Sequence, residues 1–251
     1  MHLYFLLIYL ISFLSIPAPA EQPVRVAVAA NAQFVARLIK DAYEKKTKNK
    51  INLIFSSSGK LTTQIIQGAP FDVFLSADTQ YPAALSKAGL LELPPQIYGY
   101  GALVLWTTKN LDLKPGIKTV MNKGVKKIAV ANPQVAPYGQ AALQALAYYQ
   151  LEQAVRPKLI FAESVAQVNQ YVISGAVDLG FTAKAVVLEP TIKNKGTWVE
   201  LPAASYSRIA QSAVLLKSAR NRSPAKARTF YNFLYGAQAK SILKKYGYLT
   251  P

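Results

Sequence analysis

Short apolar runs and segments of helical period alternate from residue 24 onward, and this alternation limits the fold more than any other feature of the chain. Val24 to Ala29 reads as a buried strand. After a polar break at Asn31, the apolar pairs Phe34/Val35, Leu38/Ile39 and Ala42/Tyr43 recur every four residues, which predicts a helix. Ile51 to Phe55 is a second expected strand, Leu61 to Ile66 a helix, and Phe71 to Leu75 a third strand that exits through Ser76-Ala77-Asp78. A β-α-β-α-β order predicts a mostly parallel sheet flanked by helices, with any ligand held outside the carboxyl ends of the strands. Asn31, Ser58 and Asp78 all fall at such ends.

Beyond Pro94-Pro95 the apolar stretch Tyr98 to Thr107 reads as one long strand able to enter a second lobe. A new series follows: strand Lys127 to Ala131, loop "ANPQVAPYGQ", helix Ala141 to Tyr149, strand Leu159 to Ala162, helix Ala166 to Ile173 and strand Val177 to Phe181. "RIAQSAVLLKS" reads as a return strand. Ser223-Pro224 is a cap and first-turn pair for a helix through Leu234, and after Gly236 a last helix runs to about Tyr246-Gly247. No sequence repeat is visible. The expected fold class is therefore α/β with two lobes: residues 21–102 and 210–251 in the first, 103–209 in the second, and the ligand cleft between them.

The first twenty residues, "MHLYFLLIYLISFLSIPAPA", end in Ala18-Pro19-Ala20, which predicts a secretory signal peptide removed by cleavage at an A-x-A site and a mature protein outside the cytoplasm. An uncleaved anchor is the other reading, because the leader's start lacks Lys and Arg. There is no cysteine, so no lipid attachment and no disulfide is expected. The single histidine is His2, inside that leader. The mature chain therefore has no Ser-His-Asp or Cys-His set and no His or Cys metal ligand, and its sparse acids (Asp41 and Glu44, Asp72 and Asp78) make poor catalytic pairs. No enzyme and no cofactor is expected. Against 12 acids stand 29 Lys and Arg, a net charge of +17, which attracts anions at a distance. The lysines fall in separated groups rather than in one stripe with stacking aromatics, so no nucleic-acid partner is expected.

"FSSSGKLTTQI", residues 55–65, leads a strand into a helix whose first turn is made of serines and a glycine. Free backbone N–H groups and the positive end of the helix dipole make such a turn an anion site. A nucleotide-binding loop would need glycine where Ile54 stands and Ser or Thr where Leu61 stands, so "SGKLT" does not fit that motif.

In order along the chain, "VAVAAN", "SSSGKLTTQI", "GAPFDVFLSAD", "ANPQVAPYG", "AESVAQV", "VDLGFTA" and "YGAQAKSILKKYGY" resemble the periplasmic molybdate-binding proteins of ABC importers over nearly the whole mature chain. The resemblance implies a type II periplasmic binding protein, expected as a monomer, that closes on a tetrahedral dianion such as molybdate or tungstate and passes it to a membrane permease. It puts Asn31, Ser58, Tyr138 and the backbone N–H of Val165 on the oxyanion, with Ala30 and Ser57 beside them. Where many relatives carry a further tyrosine, this chain has Ala183. Neutral donors suit an ion that must be released again, and each hydrogen bond to a charged acceptor is worth about 1.5–3 kcal/mol.

Plainer roles exist for the same residues. Asn31 and Ser58 could cap helices, Tyr138 could be a turn aromatic after Pro137, and Asp72 and Asp78 could solvate a strand end and cap a helix. The pair Tyr148-Tyr149 raises the ferric-binding alternative, although Tyr149 continues the helical period of Ala142, Ala145 and Leu146 and is expected in the core. A receptor for sulfate or another anion, and an enzyme acting on phosphate esters, are the remaining alternatives.

Overall fold

The computed structural model describes residues 22–222 and 224–251. The expected signal peptide and the expected cap Ser223 lie outside the described residues. Among the described residues no helix is long and apolar enough to cross a membrane.

The first sheet begins with β1, Val24–Ala29, and β2, Ile51–Ser56, which run parallel. On the other side of β1 lies β3, Val73–Ser76, also parallel. The sheet is completed by β4, Gln96–Gly101, at its edge. Between β3 and β4 sits a strand from the far end of the chain, Ile209–Leu215, antiparallel to both neighbours. The second sheet has β5, Leu103–Thr107; β6, Ile128–Ala131; β7, Leu159–Ala162; β8, Leu179–Ala183; and β9, Thr197–Glu200. The late strand of the first sheet is thus β10. The strand orders are β2-β1-β3-β10-β4 and β7-β6-β8-β5-β9, so each sheet has three parallel strands, then an antiparallel strand that arrives from the other sheet, then an edge strand. The two lobes share one topology without sharing a sequence.

The central strands are near-continuous apolar runs, buried along almost their whole length, so side chains that alternate between the two faces require cover on both. Val24, Val26 and Val28 face a core shared with α1, Gln33–Thr47, α8, Pro224–Phe233, and α9, Ala237–Lys245, where Tyr43 meets Phe230 edge to face at 5.2 Å. Ala27 and Phe74 face the opposite core, against Leu61 and Ile65 of α2, Ser58–Ile66, and Leu85 of α3, Gln80–Lys87. The second sheet is packed by α4, Pro137–Tyr148, and α6, Val165–Ile173, with two short helices, α5 (Glu152–Val155) and α7 (Lys184–Val187), at its margins. Each large apolar side chain so buried contributes about 1.5–3 kcal/mol relative to exposure.

Several expectations shift. The single strand expected over 98–107 is two strands in different sheets, divided at Ala102. Gly101 ends the first, and a Cβ there would collide with the Tyr138 hydroxyl. The return crossing lies between β9 and β10, and Ile209 pairs with Gly101, so the two crossings are neighbours. The Leu103 N–H donates to the Tyr206 hydroxyl at 3.1 Å across them. Helix α4 starts four residues before the expected Ala141 because Pro137 serves as its first residue, where a missing N–H is harmless. Strand β8 starts after Asp178, whose carboxylate is occupied by the Lys126 and Lys127 N–H groups and by Lys109.

Asp72 is no solvated strand end. It is fully buried, accepts the Arg25 N–H at 2.7 Å, and stands 3.5 Å from the Arg222 guanidinium. Burial raises its pKa above the ordinary carboxylate value, with the Arg25 N–H and Arg222 acting in the opposite direction.

Candidate functional site

The chain leaves β2 through Ser57, whose extended backbone (φ −68°, ψ 151°) makes it the residue that opens α2. The Leu61 N–H donates to the Ser57 carbonyl at 3.0 Å, the first bond of that helix. Ser58 is therefore the first helical residue, and the amides of this turn have no acceptor within the helix. The Ser58 hydroxyl oxygen accepts the Ala77 N–H at 3.0 Å, which ties α2 to the end of β3 and leaves the hydroxyl hydrogen to donate elsewhere. The Ser57 hydroxyl is buried and has no partner. Neither serine hydroxyl caps the helix.

The six residues singled out from sequence come together. Ala30, Asn31, Ser57, Ser58, Tyr138 and Val165 line one small cavity between the lobes, completed by Ala29, Ala77, Ala136 and Pro137. Its cavity volume is about 10 Å³, near the ~10–15 Å³ that a site needs to hold one water. Four backbone turns open onto it: the 3-10 turn Ala30–Ala32 that runs into α1, and the first residues of α2, α4 and α6. No Lys, Arg, Asp or Glu is among the lining residues. Convergent helix N-termini favour an anion, and no carboxylate is present to balance a cation. Ala183 is buried at the end of β8 but does not line the cavity.

The side chain of Asn31 caps no helix. It is 3% exposed, and its Nδ2 donates to Gln211 Oε1 at 2.9 Å and, more weakly, to the Tyr248 hydroxyl at 3.5 Å. Gln211 Oε1 also accepts from the Tyr98 hydroxyl at 3.2 Å, while Gln211 Nε2 donates to the Tyr138 hydroxyl at 3.4 Å. With its amide hydrogens engaged in this way, what Asn31 adds to the cavity is its backbone and its shape. Burial pushes the Tyr98, Tyr138 and Tyr248 hydroxyls well above their ordinary pKa, so all three stay protonated.

This buried layer was not foreseen from sequence. Gln211 interrupts the apolar return strand "RIAQSAVLL", and a polar residue in an otherwise buried strand was the signal available. Tyr98 and Tyr248 carried no such signal.

The rim of the cavity is closed by contacts between lobes. The Gly59 N–H donates to the Val135 carbonyl at 3.0 Å, the Tyr81 hydroxyl donates to the Gln134 carbonyl at 3.0 Å, and Lys60 meets Glu163 at 2.5 Å. Two wider grooves flank the cavity. One shares Ala77 and Pro137 with it and carries Asp78 and Arg208, the latter stacked 3.5 Å over the Tyr100 ring. The other shares Ala30 and Asn31 and carries Arg37 and Glu189. Charge is thus present at the mouths and absent inside.

Asp78 acts as the helix-capping residue expected of it, accepting the Tyr81 N–H at 3.3 Å at the start of α3. Burial raises its pKa. Of the paired tyrosines, Tyr149 packs against the core of the second lobe, whereas Tyr148 is 60% exposed. Among the described residues no group of three or more His, Cys, Asp or Glu could hold a metal ion.

Residues 24–249 match the family model of bacterial extracellular solute-binding proteins. The chain belongs to this family. Within it, the chain is 36% identical to the molybdate-binding protein ModA of Azotobacter vinelandii over 90% of its length and 89% of the relative's. It is 35% identical to ModA of Rhodobacter capsulatus over 96% and 93% of the two lengths. The solved structure of the Azotobacter vinelandii periplasmic molybdate-binding protein superposes with a TM-score of 0.85 at 35% identity, covering 91% of this chain and 99% of that one. The solute-binding fold of two five-stranded sheets with flanking helices is accordingly the fold of this protein.

Proposed function

We propose that the protein is the receptor of an ABC importer that captures molybdate or tungstate between its lobes and delivers it to a membrane permease. The observation that carries this reading is the cavity itself: four backbone turns and two serine hydroxyls converge on a space lined by no charged side chain. A dianion held there draws its stabilisation from many neutral hydrogen bonds. A monoprotonated oxyanion would also need an acceptor for its hydrogen, and the cavity has no carboxylate to supply one. The names of the relatives, molybdate-binding proteins, support the same ligand class.

The binding set is Ser58 and Ser57 through hydroxyl and backbone, Ala30 and Asn31 through the turn after β1, Tyr138 from α4 and the Val165 N–H from α6. The lobe division 21–102 with 210–251 against 103–209 follows strand membership in the two sheets to within one residue, Ile209 being the first residue of β10 in the first sheet. The mechanism is closure, with the ion bridging the ends of β1 and β2 to the starts of α4 and α6, and the closed form gains only what the ion binds better there than in the open form. No catalytic turnover and no resident cofactor belong to this reading. The protein works in the periplasm as a monomer, with no nucleic-acid partner.

Isothermal titration of the chain from Glu21 onward with molybdate, tungstate, sulfate and phosphate at fixed ionic strength tests it. One-to-one binding of the first two with no heat from the last two is expected. Tighter sulfate binding would make the protein a receptor for a different oxyanion, and turnover of a phosphate ester would place it among enzymes.

A further inference from the structure

We propose that Gln211 is a closure latch: its buried amide joins the ligand turn of the first lobe to the ligand tyrosine of the second and biases the protein toward the closed form before any ion arrives. Gln211 lies on β10, beside the crossing between the lobes, and is fully buried. The register of β10 on β4 shifts between Gln211 and Ser212, a bulge of the kind that re-aims a side chain near a functional site. Its two amide ends serve two lobes. Oε1 accepts from Asn31 Nδ2 at 2.9 Å and from the Tyr98 hydroxyl at 3.2 Å, both in the first lobe. Nε2 donates, in the longest of the three bonds at 3.4 Å, to the hydroxyl of Tyr138, which packs in the core of the second lobe.

The fit is enforced sterically. A Cβ on Gly101 would collide with the Tyr138 hydroxyl and stand 2.9 Å from Gln211 Nε2, so only glycine lets the pair approach across the crossing. Having accepted from Gln211, the Tyr138 hydroxyl keeps its own hydrogen to donate, and a donor that is itself a hydrogen-bond acceptor is polarised to donate more strongly. Gln211 is therefore a positioning residue that acts through Asn31 and Tyr138. The inference deepens the oxyanion-receptor reading, but its ligand-free half does not depend on which ion binds.

The chain has no cysteine, so one introduced on each lobe can carry a distance probe without background. Interlobe distances are measured without ligand and with molybdate for the wild type, Gln211→Met, Tyr138→Phe and the double variant. The latch requires a measurable closed population in the ligand-free wild type. Gln211→Met should reduce the closed-to-open ratio about two- to five-fold, the lower part of the range for one buried hydrogen bond, as the 3.4 Å length implies, and Tyr138→Phe should do the same. The double variant should open no further than either single one. Molybdate affinity in Gln211→Met should fall by a similar factor, through faster dissociation. Gly101→Ala, which removes no polar group, should also open the protein, and it keeps the test valid if Gln211→Met folds poorly. Unchanged distances in Gln211→Met and Gly101→Ala, additive effects in the double variant, or a ligand-free wild type that is wholly open would each overturn the latch. Opening by Gln211→Met in a protein that gives no heat with molybdate would sustain the latch and remove the ligand assignment.

Discussion

Gly59→Ala separates closure from folding more cleanly than any change to a polar group. Gly59 is the second residue of α2 with an ordinary helical backbone, so alanine there carries no left-handed strain. In a helix, alanine is favoured over glycine by up to about 1 kcal/mol, so the ligand-free protein should be as stable as the wild type or slightly more so. The added Cβ meets the second lobe, however, at 2.9 Å from Val135 Cα and 3.0 Å from Val135 Cβ, with the Tyr81 hydroxyl at 2.8 Å. The tyrosine can swing aside. The Val135 backbone cannot, so the rim must part by about 0.5 Å to restore ordinary contact.

That displacement stretches the Gly59–Val135 hydrogen bond, worth about 0.5–1.5 kcal/mol net, together with whichever ligand bonds span the gap. A total of about 1–3 kcal/mol, or roughly 5- to 150-fold in affinity, is expected. Titration calorimetry with molybdate reads the affinity, and urea unfolding of the ligand-free protein reads the stability. Affinity within two-fold of wild type would show that the rim contact does not limit closure. A matching loss of ligand-free stability would show that the contact is structural instead.

Ser58→Ala removes a hydroxyl that faces the ligand and leaves the buried Ala77 N–H without its acceptor, so calorimetry should show binding weakened by about 1.5–3 kcal/mol and unfolding should show lower stability; a silent variant would take Ser58 out of the site. Asp178→Ala leaves the Lys126 and Lys127 N–H groups and Lys109 unpartnered and should destabilise the protein by about 2–3 kcal/mol at neutral pH. Burial pushes the Asp178 pKa up, but Lys109 and the two N–H groups outweigh it and hold it below the ordinary aspartate value of 3.8. Its stabilisation is therefore complete above 3.8 and lost as pH falls through the lowered value, and denaturation curves of variant and wild type should converge there. Because burial keeps the site tyrosines protonated, affinity for a fully ionised oxyanion should be flat from about pH 6 to 9; a step near pH 8 in calorimetric titrations would contradict their neutrality. Raising the ionic strength from about 0.01 to 0.15 M, which shortens the Debye length from ~30 to ~8 Å, should slow association in stopped flow and leave dissociation unchanged, since the charges lie at the mouths.

The strands of the βα series were legible because each is a short apolar run closed by a polar turn, and β1 and β7 have the residues expected of them. Sequence periodicity could not divide Tyr98–Thr107, because apolar and aromatic residues run through both halves, and the close approach of Tyr138 to Gly101 shows only in three dimensions. Strand β9 was missed because it is an edge strand of mixed polarity, "TWVE", with none of the apolar density that marks a central strand. At the cavity, the serines and turns were readable because helix N-termini announce themselves through local residue types. The layer behind them was not, since Asn31 and Gln211 meet 180 residues apart and no local pattern encodes that pairing. Asp72 was misread for the same reason: its partner Arg222 belongs to a segment remote in sequence.

The placement of β10 between β3 and β4 also fixes an order of events during folding. All five strands of the second sheet lie within one continuous stretch of chain, so that sheet can assemble as soon as those residues are available. The first sheet cannot: β4 has no strand to pair with until β10 arrives, and β10 comes after the whole second sheet. Long-range pairing of this kind is slow. The half of the protein that contributes Ser57 and Ser58 should therefore be the last to acquire native protection in pulse-labelled hydrogen exchange, and a nascent chain lacking residues beyond 208 should hold a folded second lobe beside an unfinished first.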